Sequence, residues 1–486
     1  MSNIFVLIKK LYYNEYLVIL FVVLMALFVR LYKIDSPIAD WHSFRQADTA
    51  SVTREYVRNG INIFIPRYHD LSRVQSGIFN PNGYRFVEFP IFNAVHALAF
   101  KYVGLFNLEL WGRLLSVIYT LIAGLFIYFT GKILYNRWFG LLTLFIFYFL
   151  PFNIYFTRVI LPEPMAVMFG VAALYFFVKY TKVKLYKFLV VSSFFMLLGI
   201  LVKPYIVFYS LPIVFYFVNN FGVKQSLKKK ETMVYLLLVF IPFFAWRVWM
   251  KRFPEGIPFW QWTFNGDGIR FKPAFWYWIF GQRLGNLILG AGGVVPFGLG
   301  LVGLKKSDYF INGILLGAFL YVCTFATANV RHDYYQSIVI PAVSFLVAKG
   351  IFYVWNNKEY SYYWSKFVVV IALLIGFLVS AFQVKEFYKI NHPEIIAAGN
   401  AVDKLTPKDA IVIANYNGDT AFLYQTKRRG WPVVELPINE LIEEGAQYYI
   451  SVNFDTQTNE FMNKFKIMEK TPTYVILDLT VKTDQL

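Results

Sequence analysis

The chain has 486 residues, of which 58% are hydrophobic and 20% aromatic, and its formal net charge is +18. A soluble domain cannot bury so much apolar surface, so the composition excludes an ordinary soluble protein and requires lipid as part of the solvent. The single cysteine, Cys323, excludes an intramolecular disulfide and leaves the redox compartment open. Most basic residues fall in short loops between apolar segments, so the positive charge does not require nucleic acid as a partner.

Apolar segments about as long as a bilayer is thick recur along the chain and predict a polytopic α-helical membrane protein. Lys9 and Lys10 precede the first segment without a small-residue cleavage site, so we expect a retained first helix rather than a signal peptide. Eleven spans are predicted, at 16–34, 108–131, 138–157, 162–179, 188–203, 204–220, 232–250, 285–304, 309–327, 335–355 and 366–385.

The loops on the two sides of these spans differ in charge. Lysine and arginine crowd one set, which comprises residues 1–15, 132–137, 180–187, 221–231, 305–308 and 356–365. Cytoplasmic loops retain cations, so this side, with the N-terminus, is predicted to face the cytoplasm. The protein is then a multi-pass protein of the cytoplasmic (inner) membrane, and the other loops, which contain every long hydrophilic stretch, are external or periplasmic.

The first external loop, residues 35–107, contains polar residues directly after the first span. They are Asp40, His42, Arg45, Gln46 and Asp48, within the segment ADWHSFRQADTA. A helix is predicted to start near Ser43 and to lie on the membrane surface, and Asp40 could cap it. A second amphipathic surface helix is predicted in EFPIFNAVHALAFKYVG, with Phe92, Val95, Ala99 and Val103 on one face and Asn93, His96 and Lys101 elsewhere.

Other external loops also place ionisable side chains at helix ends. These are Arg85 and Glu88 before the second span, Arg158 and Glu163 in FTRVILPEP, Lys203 in LVKPY, and Arg331, His332 and Asp333 in NVRHDYYQ. Ionisable groups at the membrane boundary cost free energy unless they are paired or used, so each is a candidate site residue. Five such loops on one face predict the rim of a single external cavity. Carboxylates beside Arg, Lys and His suit a lipid phosphate substrate and a proton-accepting carboxylate.

The second long external loop, residues 251–284, is dense in Trp and Phe. Its aromatic residues could stack on a sugar. Aromatic residues also gather at any membrane interface, and we favour this second interpretation. Asp267 and Arg270 within it are candidate substrate contacts. Arg113, inside an apolar pattern, is expected to face protein.

The tail, residues 391–486, alternates short apolar runs (AIVIANY, AQYYISV, TYVILDL) with helical patterns (DTAFLYQTK, INELIEEG). This alternation predicts a small external α/β domain. The predicted domains are therefore a transmembrane domain at 1–390 and an external α/β domain at 391–486.

Four segments, DWHSFRQADTA, EFPIF, RVILPEP and RHDYYQSIVIPAV, resemble motifs of the GT-C glycosyltransferases that use polyprenyl-phosphate sugars. These are the family 39-like relatives of protein O-mannosyltransferases and the lipid A aminoarabinose transferase. The Asp-x-His-x-x-Arg-Gln pattern is the most specific motif, and LYQTKRRGW resembles bacterial members with an external C-terminal domain. The resemblance covers most of the membrane part. It implies a GT-C fold with 35–107 as the catalytic loop, and inverting transfer of a sugar from a polyprenyl-phosphate donor to an envelope glycan, lipid or protein acceptor at the outer face of the membrane.

The implied chemistry needs one base near the acceptor hydroxyl and cations near the leaving lipid phosphate. Asp40 occupies the motif's Asp and is the favoured base, while Asp48 stays an alternative because close relatives have an Asp-Glu pattern that this chain lacks. Glu88 could orient the acceptor, steady the base, or only pair with Arg85. The predicted donor and substrate contacts are His42, Arg45, Gln46, Arg85, Arg158, Glu163, Lys203, Arg270, Arg331, His332, Tyr334 and Tyr335.

Several structural alternatives accompany these assignments. Arg158, Lys203 and Arg331 are favoured for the phosphate but could simply reach toward lipid headgroups, and Glu163 could cap a helix that Pro162 begins. No cofactor is expected to be required, although Asp40, His42, His332 and Asp333 are candidate ligands for a divalent cation. A transporter or flippase of lipid-linked saccharides is the alternative function. Transporters place charges near the bilayer midplane and often contain inverted repeats, whereas these charges lie at one face and no repeat is visible, so the enzyme is favoured.

Overall fold

The computed structural model describes residues 14–361 and 363–482. The chain folds into two compact units. We call residues 1–34, 113–245 and 260–386 the helical unit, and residues 35–112, 246–259 and 387–486 the mixed unit. The fold therefore groups the first long loop with the tail, whereas the sequence pattern divides the chain at 390/391. Lys9 and Lys10, with the predicted cytoplasmic N-terminus, lie outside the described residues.

The helical unit contains most of the apolar α-helices. Their bounds are Glu15–Arg30, Leu108–Leu134, Arg137–Phe149, Pro151–Phe156, Glu163–Val183, Tyr186–Val202, Leu211–Lys228, Lys230–Met250, Val294–Val302, Tyr309–Thr324, Ala326–Arg331, Ile340–Asn356 and Trp364–Val384. Shorter pieces complete it: the α-helices Trp262–Asn265 and Pro273–Trp276, the 3-10 helices Pro204–Ser210, Gly266–Phe271, Asp333–Ile338 and Lys385–Tyr388, and the π-helix Tyr277–Ile288. The Leu108–Leu134, Lys230–Met250 and Lys385–Tyr388 helices extend across unit boundaries.

Every predicted span coincides with helix, although some of the spans are interrupted. The span at 138–157 ends as one helix at Phe149 and restarts at Pro151, because proline cannot donate the next backbone hydrogen bond. The span at 285–304 is broken between Ile288 and Val294, where Gly290 and Ala291 adopt positive φ of 57° each. Polar caps set other starts, since Asn136 accepts hydrogen bonds from the backbone of Trp138 and Phe139 at 3.0 Å.

Within the described residues, five helices are long and apolar enough to cross a membrane. They are Leu108–Leu134, Glu163–Val183, Pro204–Lys228, Lys230–Met250 and Trp364–Tyr388, counted with their adjoining 3-10 turns. Shorter apolar helices include Arg137–Phe149, Tyr186–Val202, Tyr309–Thr324 and Ile340–Asn356. The total of eleven membrane crossings stays a prediction.

The mixed unit combines three parts of the chain into helices and one sheet. Its helices are Ser43–Asn59, Ile91–Leu98 with a π-helical turn at Ala99–Val103, the 3-10 turn Pro254–Gly256, Glu394–Leu405, Thr420–Gln425, Ile438–Glu443 and Thr456–Lys464. Its strands are β1 (Ile411–Asn415), β2 (Arg429–Trp431), β3 (Tyr448–Ser451), β4 (Phe465–Lys470) and β5 (Val475–Lys482).

The five strands form one sheet in the order β2-β1-β3-β5-β4. Strand β1 pairs in parallel with β2 and β3, while β5 pairs antiparallel with β3 and β4. The three predicted apolar runs become β1, β3 and β5, and the predicted α/β tail is confirmed as a small sheet domain. Sequence patterning missed β2 and β4, because β2 has only three residues and β4 is an edge strand in which lysine interrupts the apolar pattern.

The first loop contributes directly to the core beside this sheet. Leu71 is buried in a cluster with Ile413, Trp431, Tyr449 and Leu477. Its backbone N–H donates to the carbonyl of Gly430 at 2.8 Å, and residue 70 forms a parallel bridge with residue 430. A side chain at Gly430 would collide with the carbonyl of Val412 in the paired strand β1, so only glycine permits β1 and β2 to pair here. The loop and the tail therefore fold as one unit.

The first of the two predicted surface helices is instead packed inside the mixed unit. The Ser43–Asn59 helix starts where the sequence predicts, but residues 45 to 56 are all buried. In the Ile91–Leu98 helix, Phe92, Asn93, His96 and Ala97 are buried, whereas Leu98 and Val103 are exposed, so the surface position of this second helix stays a prediction. The Asn93 amide donates to the carbonyl of Thr49 at 2.6 Å, which shows that this polar side chain faces protein.

Candidate active site

The Asp40 region lies at the entrance to the Ser43–Asn59 helix. Asp40 is 4% exposed, and its carboxylate accepts a hydrogen bond from the side-chain amide of Gln46 at 2.6 Å. The N-cap residue is His42, in a left-handed conformation with φ of 56°, and it makes no side-chain cap hydrogen bond. The N-cap position is therefore taken by His42 and not by Asp40. Its contact with Gln46, one turn into the helix, fixes the carboxylate against the helix instead.

Two ion pairs follow along the same helix. Arg45 pairs with Glu88, and Arg85 pairs with Asp48 at 2.5 Å. The predicted pairing of Glu88 with Arg85 is therefore wrong, because each partner binds a residue of the Ser43–Asn59 helix. Arg45, Asp48 and Arg85 are each less than 9% exposed, so these pairs have little contact with solvent. Charged partners that are this buried hold their segments together strongly, because separating them leaves an unpaired charge.

A third contact connects Asp48 to the tail. The hydroxyl of Thr420 donates to Asp48 Oδ1 at 2.7 Å, while Arg85 occupies Asp48 Oδ2. Both carboxylate oxygens of Asp48 therefore already accept a hydrogen bond. Thr420 is the first residue of the Thr420–Gln425 helix, which Asp419 caps by accepting from the backbone of Ala421 at 2.7 Å. Sequence analysis did not identify Thr420, because no local pattern signals a partner 372 residues away.

Two further carboxyl groups in the mixed unit have raised pKa values. Burial raises the pKa of Asp70 to about 6, and the negative charge of nearby Asp48 contributes to this increase. The hydrogen bonds from Ser72 act in the opposite direction. Burial also raises the pKa of Asp419 to about 6, again with a contribution from Asp48. The cationic forms of His42 and His392 act in the opposite direction on Asp419. In the mixed unit, the negative charge of Asp48 therefore acts on both Asp70 and Asp419 and disfavours their ionised forms.

In the helical unit, Glu163 and Lys203 form a buried ion pair. Lys203 Nζ lies 2.7 Å from Glu163 Oε1, and their side chains are 6% and 2% exposed. Glu163 is the first residue of its helix, with Pro162 in the N-cap position. The sequence predicted both residues as site candidates but did not pair them.

Arg158 and Arg113 are fully buried in the helical unit. The guanidinium of Arg158 donates to the carbonyl of Lys33 at 2.5 Å and lies 5.4 Å from the ring centre of Tyr155. A backbone carbonyl accepts the hydrogen bond but leaves the positive charge of Arg158 in place. The burial of Arg113 agrees with its predicted orientation toward protein.

The segment RHDYYQ begins at the end of the Ala326–Arg331 helix and continues as a buried 3-10 helix. His332, Tyr334 and Tyr335 form an aromatic group, with ring centres 5.6 Å apart for His332 and Tyr334 and 4.6 Å apart for the two tyrosines. Asp333 pairs with Arg283, a residue of the π-helix Tyr277–Ile288 that sequence analysis did not identify because no local pattern marks it as the partner of an acid.

Two other predicted contacts in the helical unit differ in exposure. The side chain of Arg331 is 56% exposed and lies 3.6 Å from Asp267, which is itself 78% exposed. Arg270 donates to the carbonyl of Thr324 at 2.9 Å. Arg331 is therefore open to a ligand, while Arg270 holds its loop against the Tyr309–Thr324 helix.

An apolar cavity of about 410 Å³ lies within the helical unit. Phe280, Phe297, Phe319 and several leucines line it, with the amides of Asn312 and Gln336 as its polar side chains. Gln336 belongs to the RHDYYQ segment, so this segment contributes one side chain to the cavity wall. An apolar cavity of this size suits a hydrocarbon chain.

The described part of the chain contains no group of three or more His, Cys, Asp or Glu side chains arranged to hold a metal ion. Of the four predicted cation ligands, Asp333 is engaged by Arg283, and Asp40 accepts a hydrogen bond from Gln46.

The whole architecture is similar to solved membrane glycosyltransferases. ArnT from Cupriavidus metallidurans in the apo state superposes with a TM-score of 0.67 at 12% identity, covering 94% of this chain and 97% of that chain. ArnT bound to undecaprenyl phosphate gives 0.65 at 13% identity, with the same coverage. The Archaeoglobus fulgidus oligosaccharyltransferase in the apo form gives 0.61 at 12% identity, covering 90% and 69%. The chain has the fold of the GT-C glycosyltransferases.

One family model supports the same relationship. It is described as dolichyl-phosphate-mannose-protein mannosyltransferase and matches residues 90–249, which is less than half of the chain. The comparison with curated proteins gives no match. The resemblance to GT-C glycosyltransferases predicted from the four sequence motifs is thus confirmed. The GT-C fold accounts for the long apolar helices, while the convergence of the five loops on one cavity stays a prediction.

Proposed function

We propose that this chain is an inverting glycosyltransferase that moves a sugar from a polyprenyl-phosphate donor to an envelope acceptor. The proposal rests mainly on one observation: the fold matches, over 94% of this chain, an ArnT structure bound to undecaprenyl phosphate. The apolar cavity beside the RHDYYQ segment supports a lipid-linked donor, since it offers a polyprenyl tail an apolar surface. We further propose that the reaction takes place at the outer face of the cytoplasmic membrane, as the loop charges predict.

Within this proposal, Asp40 is the base that accepts the proton of the acceptor hydroxyl. Asp48 is the poorer candidate, because Arg85 and Thr420 occupy its two oxygens and a base must offer an oxygen to the incoming hydroxyl. Gln46, a neutral amide, orients the carboxylate of Asp40 without neutralising its charge. Glu88 then acts as a positioning residue, because it pairs with Arg45, the residue next to Gln46.

The proposed reaction forms a bond between the acceptor oxygen and the anomeric carbon while the bond from that carbon to the lipid phosphate breaks. Negative charge grows on the leaving phosphate oxygen, so nearby cations lower the barrier. Arg331 is the first candidate for this role, because its side chain is half exposed and its contact with Asp267 is long. The charge of Lys203 is compensated by Glu163, so Lys203 and the carbonyl-bound Arg158 are the second candidates.

No cofactor is required by this mechanism, because a phosphate leaves readily without protonation and the base is a side chain. The experiment that tests the function uses purified protein, a short-chain polyprenyl-phosphate sugar and an extract of envelope acceptors. Release of lipid phosphate with inversion at the anomeric carbon is expected, and it should persist in excess EDTA. Movement of the intact donor across vesicles with no release would instead indicate a flippase, and activity lost with EDTA and restored by a divalent cation would reveal a metal requirement.

A further inference from the structure

A second pocket, separate from the apolar cavity, lies among loops of the helical unit. It has a volume of about 460 Å³, and its lining includes Lys305, Lys349 and Lys358. The remaining walls are the aromatic rings of Tyr135, Phe139, Phe352 and Tyr353, with Gly303 and the amides of Asn356 and Asn357. Three loops of the predicted cation-rich side, 132–137, 305–308 and 356–365, contribute residues to it. The pocket is therefore lined both by positively charged side chains and by aromatic rings.

The charges in this pocket are not balanced by the protein. Asp308 takes up one of them, since it lies 2.9 Å from Lys349 Nζ and accepts a hydrogen bond from the hydroxyl of Tyr135 at 2.7 Å. Within residues 14–361 and 363–482, Lys305 and Lys358 have no acidic side chain within ion-pair distance, and both are exposed. The three lysines and one aspartate leave a surplus of two positive charges beside the pocket, so it should attract an anion.

Aromatic side chains indicate that this pocket lies at the depth of lipid headgroups. Trp138 follows Arg137 next to the lining residue Phe139, and Trp355 lies between the lining residues Tyr353 and Asn356. Both tryptophans are exposed, at 38% and 47%. Exposed tryptophans at helix ends gather at the membrane–water interface, where the phosphates of lipids also lie.

We propose that this pocket binds the phosphodiester headgroup of an anionic phospholipid. Lys305 and Lys358 would contact the phosphate oxygens, and Asn357 could add a hydrogen bond, because only its carbonyl oxygen is used by the backbone N–H of Glu359. The rings of Phe352 and Tyr353 would pack against the glycerol and the first acyl carbons. Basic pockets between membrane helices on the cytoplasmic side are a recurring site for anionic headgroups. This site is independent of the proposed transfer reaction.

The experiment measures lipid retention by native mass spectrometry of the full chain in detergent. Phosphatidylglycerol is the anionic probe, and phosphatidylcholine, with a neutral headgroup, is its control. Each ammonium group near an anionic lipid contributes about fivefold in affinity, so the double variant Lys305→Ala/Lys358→Ala should lose roughly 25-fold in phosphatidylglycerol binding. The matched control is Lys224→Ala/Lys228→Ala, which removes two exposed lysines of another predicted cytoplasmic loop and should retain binding. The charge-preserving variant Lys305→Arg/Lys358→Arg should also retain it.

Two results would overturn the proposal. Equal losses in the two alanine double variants would show that surface charge, and not this pocket, attracts the lipid. Inorganic phosphate that displaces phosphatidylglycerol at millimolar concentration would show that the pocket takes a soluble anion. If the alanine double variant elutes as aggregate in size exclusion, the single variant Lys358→Gln, expected to lose about fivefold, replaces it in the same comparison.

Discussion

The helical unit and the mixed unit bury charged side chains in different ways. In the helical unit the partners belong to helix ends or to backbone carbonyls, as with Lys203 and Glu163 or with Arg158 and the carbonyl of Lys33. Lipid offers no hydrogen bonds, so a charged group in a membrane helix must find its partner within the protein.

In the mixed unit, buried polar side chains connect parts of the chain that are about 370 residues apart. Asp48 binds Thr420, and Arg54 donates to Glu109 at 3.0 Å and to the carbonyl of Tyr424 at 2.8 Å. The contacts with Thr420 and Tyr424 join the first loop to the tail. The difference teaches that removing a buried charge in the helical unit should disturb the helices it connects, whereas removing one in the mixed unit should loosen both the first loop and the tail.

The largest effect is expected for the substitution Asp40→Asn. The amide cannot accept the acceptor's proton, so release of lipid phosphate should fall by roughly 10²–10⁴-fold. The measurement is initial rate with a short-chain polyprenyl-phosphate sugar. Asp35→Asn, an exposed carboxyl group of the same loop, is the control and should keep full activity. An active Asp40→Asn protein beside an inactive Asp48→Asn protein would transfer the role of base to Asp48.

The next effect concerns the buried pair of the helical unit. Lys203→Met leaves the Glu163 carboxylate buried without its cation, which should lower the free energy of unfolding by about 3–5 kcal/mol. The double variant Glu163→Gln/Lys203→Met should recover most of this loss, measured as the thermal unfolding midpoint in detergent. Arg331→Met, which breaks only an exposed contact, should change stability by less than about 1 kcal/mol. No recovery in the double variant would show that Lys203 has other essential partners.

A pH-dependent effect is expected for Asp70 in the mixed unit. Its pKa in the folded protein is about 6, against a value of 3.8 without the fold, so the native state holds a proton that the unfolded state has lost. Stability from this group is therefore fully present below about pH 4 and is lost, by about 3 kcal/mol in total, as the pH rises through about 6.

Asp70→Asn should remove this pH dependence, because the amide cannot ionise. The measurement is the unfolding midpoint of both proteins between pH 4 and pH 7, where the wild-type protein should fall further than the variant. Asp419→Asn offers a second comparison, since burial also raises the pKa of Asp419 to about 6. Parallel curves for the wild-type protein and Asp70→Asn would contradict the raised pKa.

The smallest effect is expected for Thr420→Val, which keeps the shape of the side chain but removes the hydrogen bond to Asp48. An acceptor left without its donor in a buried site costs about 1–3 kcal/mol. Limited proteolysis should then cut both residues 35–112 and the tail faster, because the contact joins them. Thr420→Ser restores the hydroxyl and should restore protection. Faster cleavage of the tail alone would contradict the inference that a buried contact in the mixed unit holds both the first loop and the tail.

Local sequence patterns were sufficient for the elements and for many candidate residues. Apolar length predicted the helices, and the position of Glu163 and Lys203 at helix ends marked them as unusual before any partner was known. The alternation of apolar runs also predicted β1, β3 and β5. These signals depend on residues that are close together in the chain, so they can be recognised without knowledge of the tertiary structure.

Partners and burial could not be predicted in the same way. Glu88 pairs with Arg45 rather than with Arg85, three residues away, because the Ser43–Asn59 helix packs against that segment. The same packing turned an expected membrane-surface helix into a buried one. Thr420 and Arg283 carry no local signal, since a hydroxyl or a guanidinium becomes notable only once the fold sets an acid beside it.

The bond between Asp48 and Thr420 also constrains how the protein is made. The ribosome must add 372 residues after Asp48 before its partner exists, which at ordinary rates of synthesis takes roughly 20–75 s. During that interval residues 35–112 have already left the ribosome and lack the strands that complete their core. The core beside the first loop can therefore form completely only after the last fifth of the chain has been synthesised. A chaperone that shields the loop would act during this interval.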